Sequence, residues 1–326
     1  MTHNLHTENS PNAIDPRLAF RRYADLVAHQ LATISGPTTF STDTDFTQEN
    51  QSDPSLLQVE RGCIFPRLIL DSSVAAQRQP AIEKLIASTF ADGKPADLDA
   101  LHIIDRSGAC RRIYRPILVY SWLCAFRMAY EKLPRAEFGR WENALLLWAE
   151  SLAMRISEFT WPAKMLTAPM GSGVAETCWS ALALYVAGKV FIRDGFTDLA
   201  GDVFGKLLAC QTDAGPFLSV GASDNIETTT YDELCILHAA ASYAVQSENR
   251  SLARGIVKAT QFHLNETQPD HATNQPLGLF AFIWNPQTHA IADTLLHAAE
   301  SQAGNSSGLT AILLGDVAEC LQLFRI

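Results

Sequence analysis

The sequence lacks several patterns that define common classes of protein. No stretch reaches the roughly 18 uninterrupted apolar residues of a membrane helix, so we expect no transmembrane segment. Lys and Arg (25) are fewer than Asp and Glu (35), and the net charge of -10 opposes nonspecific binding to nucleic acid or an anionic membrane. The N-terminus has no basic start followed by an apolar core, so we expect a cytoplasmic protein without a secretory signal.

Two further kinds of site find no support. The seven cysteines are odd in number and far apart, without any C-x-x-C pair, which favours buried, reduced thiols over a disulfide framework or a structural zinc site. Neither a Rossmann glycine fingerprint nor a Walker A loop is found, so nucleotide binding through those loops is not expected. The sequence predicts no particular cofactor.

Helical patterns dominate what is present. Residues 1–76 are predicted to form an arm with one helix, Ala19–Ile34, and a polar loop; residues 1–16 and about 36–54 should be mobile or cover a cavity as a lid. Residues 77–326 are predicted to form an all-α domain. Its predicted helices are Pro80–Phe90, Tyr114–Lys132, Phe138–Glu158, Ala175–Arg193, Asp198–Cys210, Thr230–Gln246, Ser251–Asn265, Pro276–Ile283, Thr288–Ala303 and Gly308–Phe324.

Some of these helices are apolar nearly all round, for example at Trp179–Val190 and Leu234–Val245. Such helices must be covered on more than one side, and their Ala and Gly content allows close approach of neighbours. We therefore expect two layers, an inner ring of helices shielded by an outer ring.

A weak internal repeat points the same way. Glu176-Thr177 recurs as Glu227-Thr228, each after a Gly/Ser loop and before a predicted Ala/Leu-rich helix. Before the second copy, a helix runs into Gln211, Asp213, Gly215 and Phe217. This order of elements resembles the repeat of the terpenoid cyclase and protein prenyltransferase superfamily. The resemblance covers roughly Ser151–Ala303 and implies an α/α toroid.

The chain departs from that superfamily at its catalytic motifs. It has no Asp-x-Asp-Asp acid motif, no Asp-Asp-x-x-Asp magnesium motif and no prenyltransferase zinc pattern. The resemblance therefore does not imply that this chain starts a carbocation reaction with that acid. Related toroidal folds also occur in polysaccharide lyases, glycosidases and sugar epimerases, and a fold alone does not choose among these activities.

Titratable residues concentrate in the segment Gln261–Gln275. Asp270 could hold the imidazole of His271 in one tautomer, or the two could act as acid and base near neutral pH; alternatively they form a helix cap and a solvated turn. Tyr231 and His238 are seven residues apart and share a helical face, where a phenol and an imidazole could act together. These four residues are the predicted catalytic group.

Four other residues are predicted to bind substrate: Trp179, Phe217, Trp284 and Glu227. The aromatic side chains could line an apolar or sugar-stacking pocket, although aromatics at helical spacing also suit a core. Glu227 could equally cap its helix. His289, Asp293 and His297 share another helical face and could bind a divalent metal together with the Gln261–Gln275 group, or form a hydrogen-bonded stripe.

Two functions follow as hypotheses. The first is an enzyme of cyclase, lyase or isomerase type that uses the toroid cavity for acid–base chemistry on a largely uncharged terpenoid-like or carbohydrate substrate. The alternative is a non-catalytic helical module that binds a protein partner, since none of the strong catalytic motifs is present. The residues that line the cavity would distinguish the two substrate classes, because a hydrocarbon needs aliphatic and aromatic walls whereas a glycan needs polar groups.

Overall fold

A computed structural model describes residues 15–34, 114–129, 135–219, 226–301 and 308–324. This part of the chain is mainly helical, as predicted, and the predicted helix Pro80–Phe90 lies outside it. The predicted lid segments, residues 1–16 and about 36–54, also lie outside it, except for Asp15 and Pro16 at the start of α1. Its α-helices are α1 (Pro16–Ile34), α2 (Tyr114–Ala129), α3 (Arg135–Glu158), α4 (Gly171–Phe191), α5 (Asp194–Ala209), α6 (Ile226–Gln246), α7 (Arg250–Glu266), α8 (Pro269–Ala272), α9 (Leu279–Trp284), α10 (His289–Ser301) and α11 (Gly308–Leu323).

Helices α4 and α6 form the centre of the core. Both are apolar on nearly every side, and both are buried over most of their length. Helix α4 packs against α2, α3, α5 and α6, while α6 packs against α4, α7, α8, α9 and α11. The prediction that these helices must be covered on more than one side is confirmed.

Close crossing of α4 and α5 depends on a glycine. A Cβ atom at Gly188 would lie 2.6 Å from Thr197 Cγ2 and 2.9 Å from the Arg193 carbonyl oxygen. Both distances are shorter than real Cβ contacts, so a side chain at this position would push the two helices apart.

Side-chain contacts link α11 back to α2. Helix α2 packs on α4, α4 on α6, and α6 on α11. Tyr120 of α2 then contacts Asp316 of α11, and Arg127 of α2 pairs with Glu319 of α11. The four helices α2, α4, α6 and α11 therefore form a closed series of contacts; the complete α/α toroid stays a prediction.

A short parallel strand pair connects the segments that precede the two core helices. Strand β1 (Leu166–Thr167) comes just before α4, and β2 (Leu218–Ser219) comes before α6. Leu166 pairs with Leu218 and Thr167 with Ser219. The pairing joins the segment before α4 to the segment before α6.

The N-terminal helix α1 belongs to the same core. It packs mainly on α11, and its apolar face buries Ala19, Tyr23 and Val27. The Tyr23 hydroxyl donates a hydrogen bond of 3.0 Å to the carbonyl oxygen of His289. One helix of the predicted arm is thus held against the helical domain.

Two composition-based expectations can be compared with the structure. Cys124, Cys178, Cys210, Cys235 and Cys320 are buried and form no disulfide with one another, as predicted for the described positions. Within the described ranges, no helix combines the length and hydrophobicity that crossing a membrane requires.

Candidate functional site

An open cleft lies where the start of α6 meets the end of α7 and the short helix α8. Its volume is about 330 Å³. Most of the side chains around it can form hydrogen bonds, and we call it the polar cleft. It is lined by Ile226, Glu227, Thr230, Asn265, Glu266, Thr267, Gln268 and His271.

Proline at position 269 explains why the chain breaks at this cleft. A residue that precedes proline disfavours the α-helical conformation, and Thr267 already has an extended backbone with φ -138° and ψ 173°. Helix α7 therefore ends at Glu266, and Pro269 starts α8 as its first residue, a position where the missing N–H costs nothing. The backbone N–H of His271 then bonds to the Gln268 carbonyl oxygen at 3.0 Å.

Asp270 and His271 form a loose pair at the surface. His271 Nε2 and Asp270 Oδ2 are 3.9 Å apart, beyond hydrogen-bond distance, and the two side chains are 62% and 38% exposed. Exposed pairs of this kind couple weakly because solvent screens them. His271 is therefore free to contact a ligand in the cleft, and its tautomer is not fixed by Asp270 in this arrangement.

The polar cleft contains the chemical groups that proton transfer requires. His271 supplies an imidazole, the side chain that commonly exchanges protons near neutral pH. Glu227 and Glu266 supply two carboxylates in the same cleft. The side chains of Thr230 and Asn265 add groups that can orient a ligand hydroxyl.

A second cleft adjoins the first along α7. It has a volume of about 630 Å³ and shares the lining residues Asn265 and Glu266 with the polar cleft. Its own lining includes two cations, Arg254 and Lys258, and the apolar Val257. We call it the basic groove.

A buried polar network lies inside the ring of α2, α4, α6 and α11, with Asp316 at its centre. The Asp316 carboxylate accepts hydrogen bonds from Tyr120 and Ser242, and its Oδ2 lies 3.1 Å from His238 Nε2. The other imidazole nitrogen, Nδ1, accepts a bond of 3.2 Å from the backbone N–H of Gly278. With Nδ1 accepting from Gly278, the Nε2–H of His238 is the donor to Asp316.

Electrostatics explain how an acid can be buried there. Burial alone would raise the pKa of Asp316. The hydrogen bond and the charge interaction with His238, together with the hydrogen bonds from Ser242 and Tyr120, outweigh it and hold the pKa below its usual value. The carboxylate thus stays ionised in the core, with its charge shared among three donors.

The network contains Ser, His and Asp but is not arranged for nucleophilic catalysis. Ser242 directs its proton to Asp316 and not to an imidazole nitrogen, and both nitrogens of His238 are already bonded. A nucleophile needs a free base within hydrogen-bond reach. With Asp316, His238 and Ser242 all nearly inaccessible, the arrangement stabilises the fold instead.

The predicted site residues fall in different places. Glu227 and His271 line the polar cleft together, with Asp270 beside it. His238 lies in the buried network, where Trp179 stacks on it with ring centroids 5.2 Å apart. Tyr231 is buried on α6, next to the cleft residue Thr230.

The two remaining predicted residues are packed in the core or against it. Phe217 is fully buried, and its backbone N–H donates to Glu233. Trp284 packs against Phe280 and Phe324, with ring centroids 5.5 Å and 4.9 Å away. The substrate roles proposed for these aromatics stay predictions.

The proposed metal ligands have other partners. Among the described residues, no three His, Cys, Asp or Glu side chains are placed to hold a metal ion. His289 Nε2 bonds to the Ile283 carbonyl oxygen at 2.9 Å, and Asp293 pairs with Arg22. His297 lies beside Glu300. The helical spacing placed these residues on a face but could not give their contacts.

Sequence reasoning missed Asp316 and most polar residues of the cleft wall. The signal for Asp316 was an acid within the otherwise apolar segment of α11, since an ionised side chain is rarely buried unless it is paired. Thr267 and Gln268 carried no signal of their own. Their position follows from Pro269, which starts α8 directly after them.

Comparison of the chain with family models, with curated proteins and with solved structures finds no match. The fold and the two clefts therefore provide the basis for a functional proposal.

Proposed function

We propose that the chain is an enzyme of lyase or isomerase type that performs acid–base chemistry on a hydroxyl-rich, carbohydrate-like substrate in the polar cleft. The observation that carries the proposal is the presence of one imidazole and two carboxylates, His271, Glu227 and Glu266, in a single open cleft. Titratable groups that meet in a cleft are the usual feature of acid–base sites.

The lining of the cleft favours a carbohydrate over a hydrocarbon. Among the lining residues that the structure describes, Ile226 is the one aliphatic residue, and the others carry carboxylate, amide, hydroxyl or imidazole groups. An isoprenoid chain would displace water from these polar groups and offer no hydrogen bonds in return, which costs about 1–3 kcal/mol for each group that it buries. A sugar can satisfy them with its own hydroxyls.

The proposed roles follow from the chemistry of each side chain. His271 accepts a proton from the substrate on a neutral ring nitrogen and returns it to the product or leaving group. Glu227 and Glu266 accept hydrogen bonds from substrate hydroxyls and so orient the sugar. Asn265 and Thr230 supply further hydrogen bonds to the ring substituents.

A binding and activity screen tests this proposal. Trisaccharides of glucose, N-acetylglucosamine and mannose are titrated into the protein, with farnesol as the hydrocarbon probe, and products are followed by mass spectrometry. We expect at least one trisaccharide to bind and farnesol not to bind. His271→Asn should lower turnover by about 100-fold or more, as loss of a general acid or base does, and Glu227→Gln should mainly weaken binding.

The matched control is His297→Asn. His297 is also an exposed histidine beside a carboxylate, with Nδ1 3.6 Å from Glu300 Oε2, but it does not line the polar cleft. This variant should behave like the wild type. Binding of farnesol alone, or equal turnover in the two asparagine variants, would refute the proposal.

A second function is favoured by the basic groove. Arg254 and Lys258 are four residues apart on α7 and therefore share a face, on a chain whose net charge is -10. With Val257 and Phe262 beside them, they suit a partner segment that carries acidic and apolar side chains. A Glu/Leu peptide should then bind more tightly than a Lys/Leu peptide of equal length, and the double change of Arg254 and Lys258 to Gln should remove the difference.

A further inference from the structure

His263 and Thr267 connect the wall of the polar cleft to the core. His263 lies in the last turn of α7 and is fully buried, whereas Thr267, the residue that follows the helix, lines the cleft. His263 Nδ1 and Thr267 Oγ1 are 2.8 Å apart. A side chain inside the protein is therefore hydrogen-bonded to one that a ligand can touch.

The direction of this hydrogen bond follows from the one proton of the hydroxyl. Thr267 Oγ1 also lies 3.4 Å from the carbonyl oxygen of His263, which can only accept, so the hydroxyl proton points there. With that proton directed to the carbonyl oxygen, His263 Nδ1 acts as the donor to Oγ1, which corresponds to the Nδ1–H tautomer.

The other ring nitrogen supports the same tautomer. His263 Nε2 is buried and has no hydrogen-bond partner among the described residues. A buried N–H without an acceptor loses the full value of a hydrogen bond, so the unpaired position is better left as a bare lone pair. The imidazole packs edge-on against Phe262 and Phe282, with centroid distances of 5.7 Å and 6.0 Å. Burial among apolar rings lowers the pKa of His263 to about 4, which keeps the ring neutral at physiological pH.

We infer that His263 is a positioning residue that holds the Thr267 hydroxyl as a hydrogen-bond acceptor for a donor group of the ligand. The Thr267 hydroxyl donates its one hydrogen bond to the His263 carbonyl oxygen and accepts one from Nδ1–H. Its second lone pair can then accept a hydrogen bond from a ligand in the cleft. Thr267 thus selects a ligand that donates at this point, such as a sugar hydroxyl or an acetamido N–H. The identity of that ligand rests on the proposed function, whereas the tautomer of His263 does not.

The first test reads the tautomer in the intact protein. Nitrogen-15 labelling of the nine histidines gives imidazole spectra in which the protonated and bare nitrogens have distinct shifts. The signal of His263 is assigned by its loss in His263→Asn. We expect the Nδ1–H pattern at pH 7, and an Nε2–H pattern would overturn the inference.

The second test measures how changes at Thr267 and His263 alter the affinity for the three trisaccharides. Thr267→Val removes the hydroxyl and keeps the shape, so affinity should fall about tenfold, the value of one hydrogen bond. Thr267→Ser should stay within about twofold of the wild type. His263→Asn keeps a donor toward Oγ1 and should bind better than His263→Leu, with circular dichroism confirming that each variant is folded.

The outcomes separate the two proposals. If no trisaccharide binds the wild type, the proposed function fails, and the imidazole spectra still decide how His263 holds Thr267. If a trisaccharide binds and Thr267→Val binds it as tightly as the wild type, the proposed function stands and the role of Thr267 is refuted.

Discussion

Glu233 holds the backbone of Phe217 and Leu218 against α6. Its carboxylate is fully buried in α6 and accepts the backbone N–H groups of Phe217 and Leu218 at 2.7 Å and 2.9 Å. Burial raises the pKa of Glu233 to about 7, although the two backbone hydrogen bonds act in the opposite direction. This residue joins the segment before α6 to the helix itself.

The stability of the protein should depend on pH through Glu233. Its pKa is about 7 in the folded state and near 4.5 without the fold, so the folded state binds the extra proton between these values. The free energy of unfolding should therefore fall as pH rises from 4.5 to 7, by about 3 kcal/mol, and stay constant above. Glu233→Gln lacks this titration, and urea unfolding of both proteins across the range measures the difference.

The exposed Glu150 gives the matched control. Glu150→Gln is the same substitution at an exposed position of α3, and stability should stay within about 0.5 kcal/mol of the wild type at every pH tested. If the pH dependence of unfolding is parallel in wild type and Glu233→Gln between pH 4.5 and 7, Glu233 does not retain its proton in the folded state.

The candidate site was predictable for some residues and not for others, for a physical reason. In the sequence, His271 and Glu227 lie near the ends of predicted apolar helices. Because helix ends usually face solvent, such residues can line a cleft, and both line the polar cleft in the structure. His238 and Trp179 lie within helices that are buried on all sides. Such helices have no solvent-facing stripe, and periodicity alone cannot show whether a side chain faces a cavity or the core.

At the scale of secondary structure, most described helices were predicted, but their starts were less accurate. Helices α4, α5 and α6 begin about one turn before the predicted positions, at Gly171, Asp194 and Ile226. The first turn of a helix makes few internal hydrogen bonds and here carries little apolar periodicity. The two-residue strands β1 and β2 escaped prediction because they are too short to show alternation.

The turn from Gln211 to Phe217 is an element that the sequence marked and the structure explains. The Gln211 amide donates to the carbonyl oxygens of Gly215 and Gly255, the latter at 2.8 Å, and so joins the end of α5 to α7. Gly215 has φ +127°, and a Cβ there would lie 2.7 Å from the Lys258 carbonyl oxygen. Only glycine fits this backbone without strain.

A pair of glycine substitutions should therefore have opposite effects on stability. Gly215→Ala should destabilise the protein by about 2 kcal/mol or more, through backbone strain and the contact with Lys258. Gly205→Ala lies within α5 with open space around it and should stabilise by about 0.5–1 kcal/mol. Midpoints of urea unfolding give both values, and destabilisation of equal size in the two variants would contradict this account.

At the scale of the whole molecule, the fold depends on contacts between residues far apart in sequence. Asp316 of α11 meets Tyr120 of α2 and both His238 and Ser242 of α6. Sequence reasoning expected a ring of helices, but it could not identify the side chains that connect the last helix to an early one. Such long-range pairs leave no local pattern.

Removing the charge of Asp316 should weaken the whole fold. Asparagine has one acceptor oxygen, and its NH₂ group would face a donor, so Asp316→Asn should cost about 3–5 kcal/mol, as for other broken buried charge networks. Since the pKa of Asp316 is held below its usual value, this difference in stability should be constant above pH 4 and shrink as the folded carboxylate becomes protonated.

The control is Asp198→Asn, at an exposed position, whose free energy of unfolding should stay within about 0.5 kcal/mol of the wild type. Urea unfolding followed by circular dichroism and tryptophan fluorescence measures both variants, because Trp179 stacks on His238 inside the network. Equal stability of the two variants would mean that the closed series of α2, α4, α6 and α11 does not depend on Asp316.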